Sequence, residues 1–150
     1  MIHLDDADHG QAIADLLGKR FVPQFDRAVS ITSAGKLLGG VIYTDYMKRS
    51  IQMHAAAWSP HWLTRDILWT MFTYPFDNLG VEMCIAPVAS TNARSAALCF
   101  GLGFRLHATI QDVVPDGHLM ILSMRREHCR WLKWRPRYLE TAILSEEKGA

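Results

Sequence analysis

Residues 51–65 run Ile51-Gln52-Met53-His54-Ala55-Ala56-Ala57-Trp58-Ser59-Pro60-His61-Trp62-Leu63-Thr64-Arg65. Ile51 to Ala57 reads as a strand with unusually small side chains at its end. Trp58 to His61, holding Pro60, reads as a loop. Thr64 is an N-cap residue type, and Ile67, Leu68, Met71 and Phe72 follow at helical spacing. Pro75 ends or kinks that helix, and Asn78-Leu79-Gly80 is a stop signal. Val81 to Val88 then reads as a strand. A helix separates this strand from Ile51–Ala57, so these two strands are the pair that can run parallel.

Upstream, residues 7–18 carry helical apolar spacing (Ala7, Ile13, Ala14, Leu16, Leu17), with Asp6 or Asp8 as N-cap and Gly18 at the far end. Val29–Thr32 and Leu37–Tyr46 flank the turn Ser33-Ala34-Gly35-Lys36 and form a hairpin. Gly39 and Gly40 inside the second strand signal a bulge or a close backbone approach. Downstream, Ser90-Thr91-Asn92 offers caps for a helix ending at Leu102-Gly103. Phe104–Val113 and Leu119–Met124 flank the turn Pro115-Asp116-Gly117. The tail from Glu127 is expected to be part helical, with Ser145 to Ala150 frayed. The fold class is α/β (α+β): a mixed, mostly antiparallel sheet of hairpins with one crossover helix, flanked by helices.

The 150 residues predict a single domain, 1–150. With 49% hydrophobic and 21% charged residues the chain is not disordered. Lys plus Arg number 16 and Asp plus Glu 15, so overall charge singles out neither nucleic acid nor membrane as a partner. No apolar run approaches the roughly 18 residues of a membrane span. Met1 to Gly10 holds Asp5, Asp6 and Asp8 and no basic residue, so no secretory signal is expected. Cys84, Cys99 and Cys129 are odd in number and lack Cys-x-x-Cys spacing, which fits a reducing, cytoplasmic compartment better than a disulfide framework. No metal site is expected, because no His-x-x-x-His or Cys-x-x-Cys pattern exists among the seven histidines and three cysteines.

Ligands of open α/β sheets sit beyond the carboxyl ends of parallel strands, which here is the loop Trp58–Arg65. The first amides of the following helix lack internal partners and form an anion site, to which Arg65 would add charge. The plainer reading is a bare connection. Asn92, Ser95 and Cys99 share one helix face at the mouth of the strand pair. They would hydrogen-bond an extended amide ligand, or Asn92 merely caps its helix. Gln52 and His54 share a strand face. His54, with an ordinary pKa of about 6.5, is a candidate base or simply a packed histidine. Cys99 is a core thiol or a proton donor, and Glu82 a solvated strand charge. Between 125 and 137, Arg125, Arg126, Arg130, Lys133, Arg135 and Arg137 stand against Glu127 alone, interleaved with Trp131 and Trp134. That segment reads first as an amphipathic closing helix. The other readings are a nucleic-acid contact or a homodimer interface.

Phe76-Asp77-Asn78-Leu79-Gly80, Asn92-Ala93-Arg94-Ser95 and Leu102-Gly103-Phe104 carry a resemblance. So does the ending from Leu122-Ser123-Met124-Arg125 to Cys129-Arg130-Trp131-Leu132. From Leu37 to Arg126 the chain resembles the GNAT N-acetyltransferase superfamily, above all the branch acting on ribosomal-protein N-termini and the short GNAT proteins of bacteria and phages. The resemblance implies a sheet splayed between the Ile51 and Val81 strands and acetyl-CoA as cosubstrate. The pantetheine arm would pair with backbone near His54 to Ala57, so Ala55, Ala56 and Ala57 would bind it, with Asn92 and Ser95 contacting it. The pyrophosphate would rest on amides of His61, Trp62, Leu63, Thr64 and Arg65. His54 and Cys99 would be the catalytic pair, transferring an acetyl group to a protein N-terminus or small-molecule amine. Two features depart from the pattern. Trp62 and Thr64 stand where the loop glycines belong, and Cys99 stands where many members have an acid Tyr. The alternatives are a nucleic-acid-associated protein of this fold, such as a phage-type DNA modifier or accessory factor, or a non-catalytic CoA-binding module.

Overall fold

The structure, a computed structural model, describes residues 1–136. In chain order these form β1 (Ile2–Leu4), α1 (Ala7–Leu17), β2 (Arg27–Ser33), β3 (Lys36–Thr44), β4 (Ser50–Ala57), α2 (Arg65–Thr73), β5 (Met83–Ala89), α3 (Ala93–Leu102), β6 (Arg105–Val114) and β7 (Gly117–Arg125). One sheet of seven strands runs in the order β1-β2-β3-β4-β5-β7-β6. Every pairing is antiparallel except β4 with β5.

The parallel pair is short. Ser50, Ile51 and Gln52 face Met83, Cys84 and Ile85, and pairing stops there. Beyond that point β4 remains paired with β3 as far as Ala57, and β5 with β7 as far as Ala89. The sheet is therefore a V, closed at its lower end, where the Glu82 amide donates to the Arg49 carbonyl at 2.9 Å and the two side chains form an ion pair. Glu82 is thus an exposed, paired charge rather than a free one. Pro87 helps to hold the V open. The Ser90 amide points to β7, donating to the His118 carbonyl at 2.8 Å. By strand alternation residue 87 turns its backbone nitrogen toward the gap, and proline has no N–H to offer a closing ladder there.

The two faces are covered unequally. Ile13, Ala14, Phe21, Ala28 and Ile42 form a small core under α1. The larger core places Ile67, Leu68, Met71 and Phe72 of α2 against Val41, Tyr43, Ile51 and Met53. Asp6, rather than Asp8, is the N-cap of α1, accepting from the His9 amide at 3.0 Å, and Gly18 closes the helix at φ +65°. The glycine pair in β3 serves both faces. A Cβ on Gly39 would lie 2.9 Å from the Trp62 ring, and one on Gly40 would lie 2.5 Å from the Val29 carbonyl and 2.6 Å from Ile13. Both expectations for the pair hold, because the β2–β3 register also shifts beside it, between Ile31 and Thr32.

Three elements differ from expectation. β1 was not foreseen. Three residues are too few for periodicity, and β1 exists only because β2 offers it an edge. The α-helix ends at Thr73, just ahead of Pro75 as expected, but the helical path continues. Tyr74–Asn78 widens into a π turn closed by the Leu79 amide on the Tyr74 carbonyl at 3.1 Å. A wider turn gives room for a ring that an α-turn would press against the preceding carbonyl. The tail makes two 3-10 turns, Arg126–His128 and Arg130–Lys133, rather than a longer helix. Trp131 is buried and donates its indole N–H to the Leu102 carbonyl at 2.8 Å. Arg130 covers that ring at 4.1 Å, and Arg126 binds the Phe76 carbonyl and Asp77. Much of the basic, Trp-rich segment is thus engaged inside the molecule. Arg137 and the expected frayed end, 145–150, lie outside the described residues. Among the described residues no helix is long and apolar enough to cross a membrane.

Gly40→Ala is expected to cost about 1–3 kcal/mol in urea unfolding, because the clash is with backbone. Gly101→Ala, where a Cβ meets nothing within 4 Å, is expected to stabilise α3 by about 0.5–1 kcal/mol.

Candidate functional site

The opening of the V sets the site. From Met53 to Ala57 the inner edge of β4 has no strand partner, and the matching stretch of β5 stands apart from it. Backbone groups on such edges must find water or an extended ligand. A cavity of about 480 Å³ fills the gap, lined among others by Gln52, His54, Ala55, Pro87, Asn92, Ser95 and Cys99. A second cavity of about 360 Å³ continues outward over Ala55, Ala56, Ala57, Ser59, Trp62, Arg94 and Ser95. On the opposite side a third, of about 680 Å³, opens between the Val22–Asp26 loop and the β3–β4 turn. It shares Lys19, Gln52 and His54 with the central cavity. His54 thus stands where the inner and outer spaces meet.

His54 is 8% exposed, and its Nε2 lies 3.1 Å from the Thr44 hydroxyl. That hydroxyl donates to Asp45 at 2.8 Å. A hydroxyl has one hydrogen, so Thr44 accepts from His54, which fixes the proton on Nε2 and leaves Nδ1 a bare acceptor. The expectation of an ordinary imidazole fails. Burial, and secondarily the Lys19 charge, push the His54 pKa down to about 4, while Asp45 opposes them. The ring is neutral at pH 7.

Asn92 is both cap and lining residue. Its Oδ1 accepts from the Ser95 amide at 3.2 Å, at the start of α3. Burial raises the Cys99 thiol to about 11, so it is protonated at neutral pH.

Of the residues expected to bind a ligand, Ala55, Ala56, Ala57, Trp62, Asn92 and Ser95 line these cavities, as do His54 and Cys99. His61, Leu63, Thr64 and Arg65 line neither the central nor the outer one. Thr64 caps α2 by accepting from the Ile67 amide at 3.3 Å. The Arg65 side chain does not reach toward the V. Its guanidinium donates to the carbonyls of Trp134 at 3.4 Å and Arg135 at 3.3 Å. Trp62 turns its indole into the core, 4% exposed, over Gly39. The amides of Leu63, Arg65 and Asp66 make no bond among the described residues, and α2 begins there.

Five lining or supporting residues escaped the sequence reading. Arg94 was visible inside the Asn92–Ser95 motif but was given no role. Pro87 carried a signal of its own, a proline within a strand. Lys19, and Thr44 with Asp45 behind His54, had no local signal, because tertiary packing alone brings them together.

By NMR, the His54 ring is expected to titrate near 4 rather than 6.5. The unfolded chain then takes up this proton before the folded one does. Stability supplied by the neutral ring is complete above pH 6.5 and is lost as pH falls toward 4. A His54→Gln variant should lack that part of the acid dependence.

No family model and no curated protein matches the sequence. Solved structures do match. The spermidine N-acetyltransferase SpeG of Vibrio cholerae, in a point-mutant form, superposes with a TM-score of 0.63 at 13% identity, over 92% of this chain and 99% of that one. A GNAT-family acetyltransferase of Bacillus anthracis gives 0.60 at 12% identity, over 84% and 94% of the two chains. The Campylobacter jejuni N-acetyltransferase PseH, solved with acetyl coenzyme A, gives 0.58 at 12%, over 84% and 99%. With its parted β4 and β5, its seven-stranded mixed sheet and these neighbours, the chain has the fold of the GNAT N-acetyltransferases.

Proposed function

We propose that this protein is an acetyl-CoA-dependent N-acetyltransferase that passes the acetyl group directly to a primary amine while both are bound. The observation that carries this reading is the row of adjoining cavities along the V: those suited to a donor on one side, one suited to an acceptor on the other, and His54 in the wall they share. Its shape suits the cosubstrate. An extended, amide-bearing arm finds the unpaired edge of β4, and Ala55 to Ala57 bring no bulk against it. Asn92 and Ser95 face the same channel. The free amides at the start of α2 and the nearby Arg94 suit the pyrophosphate end. Trp62 does not obstruct this, because its ring is buried and glycine is not needed where the side chain points inward.

Acetyl-CoA brings an acetyl group activated as a thioester. The chain's own residues then have distinct tasks. The Ala55 amide is placed to donate to the carbonyl oxygen as it gains charge. Neutral His54 offers Nδ1 to the amine. With a pKa of about 4 it retains no proton at neutral pH, so the amine's proton passes on to water in the acceptor cavity. As the thioester C–S bond breaks, the CoA sulfur would leave as a thiolate and take its proton from water; Cys99, a weaker acid than a free thiol, would offer an S–H hydrogen bond within the channel rather than the transferred proton.

The acceptor cavity carries both signs of charge, Lys19 and Arg20 beside Asp26 and Asp45, with Phe25 and Tyr46 exposed at its rim. This favours an amine that also bears an anionic group, such as an acidic peptide N-terminus, over a polycation like the substrate in SpeG's name. The exposed edge strand β6, with Leu106, Ile110 and Val113 uncovered, is where a homodimer would pair. Three free thiols accord with a reducing, cytoplasmic setting.

Calorimetry is expected to give saturable acetyl-CoA binding, and no heat at millimolar ligand overturns the reading. Asn92→Ser retains a capping residue but loses the amide donor. It should weaken binding several-fold and leave the melting temperature unchanged. Product analysis over acidic peptides and polyamines separates an enzyme from a binding module.

A further inference from the structure

A second cluster of chemically able side chains lies away from the V, where β1, the start of α1 and β2 meet. His3 stands on β1, Asp6 is the N-cap of α1, and His9 is one turn into that helix. Their ligand atoms, one from each residue, all lie within 4.8 Å of one another. The two imidazoles meet edge to face with centroids 4.8 Å apart. All three side chains are half-buried rather than freely solvated.

Each ring is also held by a hydroxyl on β2. His3 Nε2 lies 2.9 Å from Thr32 Oγ1, and His9 Nδ1 lies 2.8 Å from Ser30 Oγ. Ser30 is fully buried, so its hydroxyl is a fixed anchor. Metal-binding histidines characteristically have such a second partner, which sets the ring's orientation and tautomer. Asp6 spends one oxygen on the His9 amide and leaves its other oxygen for an ion, as each anchored ring leaves its second nitrogen.

We propose that His3, Asp6 and His9 bind one divalent transition-metal ion of the zinc class. Two imidazoles and a carboxylate suit zinc, cobalt(II) or nickel, and not the all-oxygen preference of calcium or magnesium. Bonds of about 2.0–2.2 Å require donors about 3.3 Å apart, so the cluster must contract by about 1.5 Å, within the reach of side-chain rotation. Three protein ligands leave a position for water. The ion would tie the short strand β1 to the start of α1. The sequence spacing, His-x-x-Asp-x-x-His, matches no helical ligand pattern, because its first member is on a strand and its last on a helix.

The test uses the full chain, freed of metal with a chelator. Zinc titration by calorimetry is expected to show one ion per chain and a raised melting temperature. Cobalt(II) should give the visible absorption of a nitrogen- and oxygen-ligated site. His3→Ala and His9→Ala should each abolish both signals. Thr32→Val, which removes the hydroxyl behind His3, should weaken binding about 10-fold. His107→Ala, at a histidine elsewhere on the surface, should change nothing. A thiolate charge-transfer band with cobalt would assign the ion to cysteine and overturn the proposal. So would equal zinc affinity in wild type and His3→Ala. If the alanine variants do not fold, histidine-selective acylation of the wild-type chain decides: zinc should protect His3 and His9, and an unchanged pattern at both overturns the site. Acetyl-CoA binding is independent of all these readouts.

Discussion

β4 and β5 share three residue pairs and then part, and most of what is distinctive here depends on that separation. A sheet gains by pairing every backbone group, so a gap between two central strands needs a cause on each side. On the β5 side Pro87 removes the amide that a continued ladder would use. On the β4 side pairing to β3 persists to Ala57, so the strand stays straight while its inner edge remains open. The V is then stabilised from outside by two cores of unequal size, and within it a mostly apolar lining surrounds unpaired backbone and a few polar side chains. Its inner edges are pre-positioned hydrogen-bonding groups, and their orientation costs nothing further when a chain-like ligand enters.

The glycine pair of β3 is the second constraint. Gly39 and Gly40 lower the sheet surface on opposite faces, where Trp62 and Ile13 press in. The contact with Trp62 accounts for the bulky residue in a loop where the family pattern has glycine. Glycine is required where a side chain would lie between the backbone and a phosphate. The Trp62 ring is buried on the other side, so it does not cover the loop's backbone. The loop's backbone is fixed by a hydrophobic anchor instead of being left permissive.

The order of helices and strands was legible because the segments were long and their periodicity clean. The Ile51–Arg65 stretch located the loop, the helix start and one member of the parallel pair, and Val81–Val88 supplied the other. The cap role of Asn92 was legible from its residue type, and its place with Ser95 on the cavity wall follows from the strand that ends just before it. What the sequence concealed were juxtapositions across long separations. Thr44 and Asp45 fix the tautomer of His54, and Lys19 depresses its basicity, yet none of the three lies within eight residues of it. Arg65 looked like a phosphate ligand because a cation at a helix start suits an anion. A pair of carbonyls some 70 positions later competes for it. Local reading cannot weigh a partner that only the finished fold supplies.

That competition has a kinetic side. The contacts of Arg65 with Trp134 and Arg135 span 69 and 70 residues, and the guanidinium also lies 5.9 Å from the Trp134 ring. Closing so long a loop has a high entropic cost, and the bonds that reward it are exposed and few. Around the start of α2, the local cap from Thr64 and the core contacts of Ile67 and Leu68 need no such closure, so the bonds to Trp134 and Arg135 are the contacts expected to form last. Opening of the Trp134–Arg135 segment would release the Arg65 side chain while the Trp62 anchor, the Thr64 cap and the sheet stay in place.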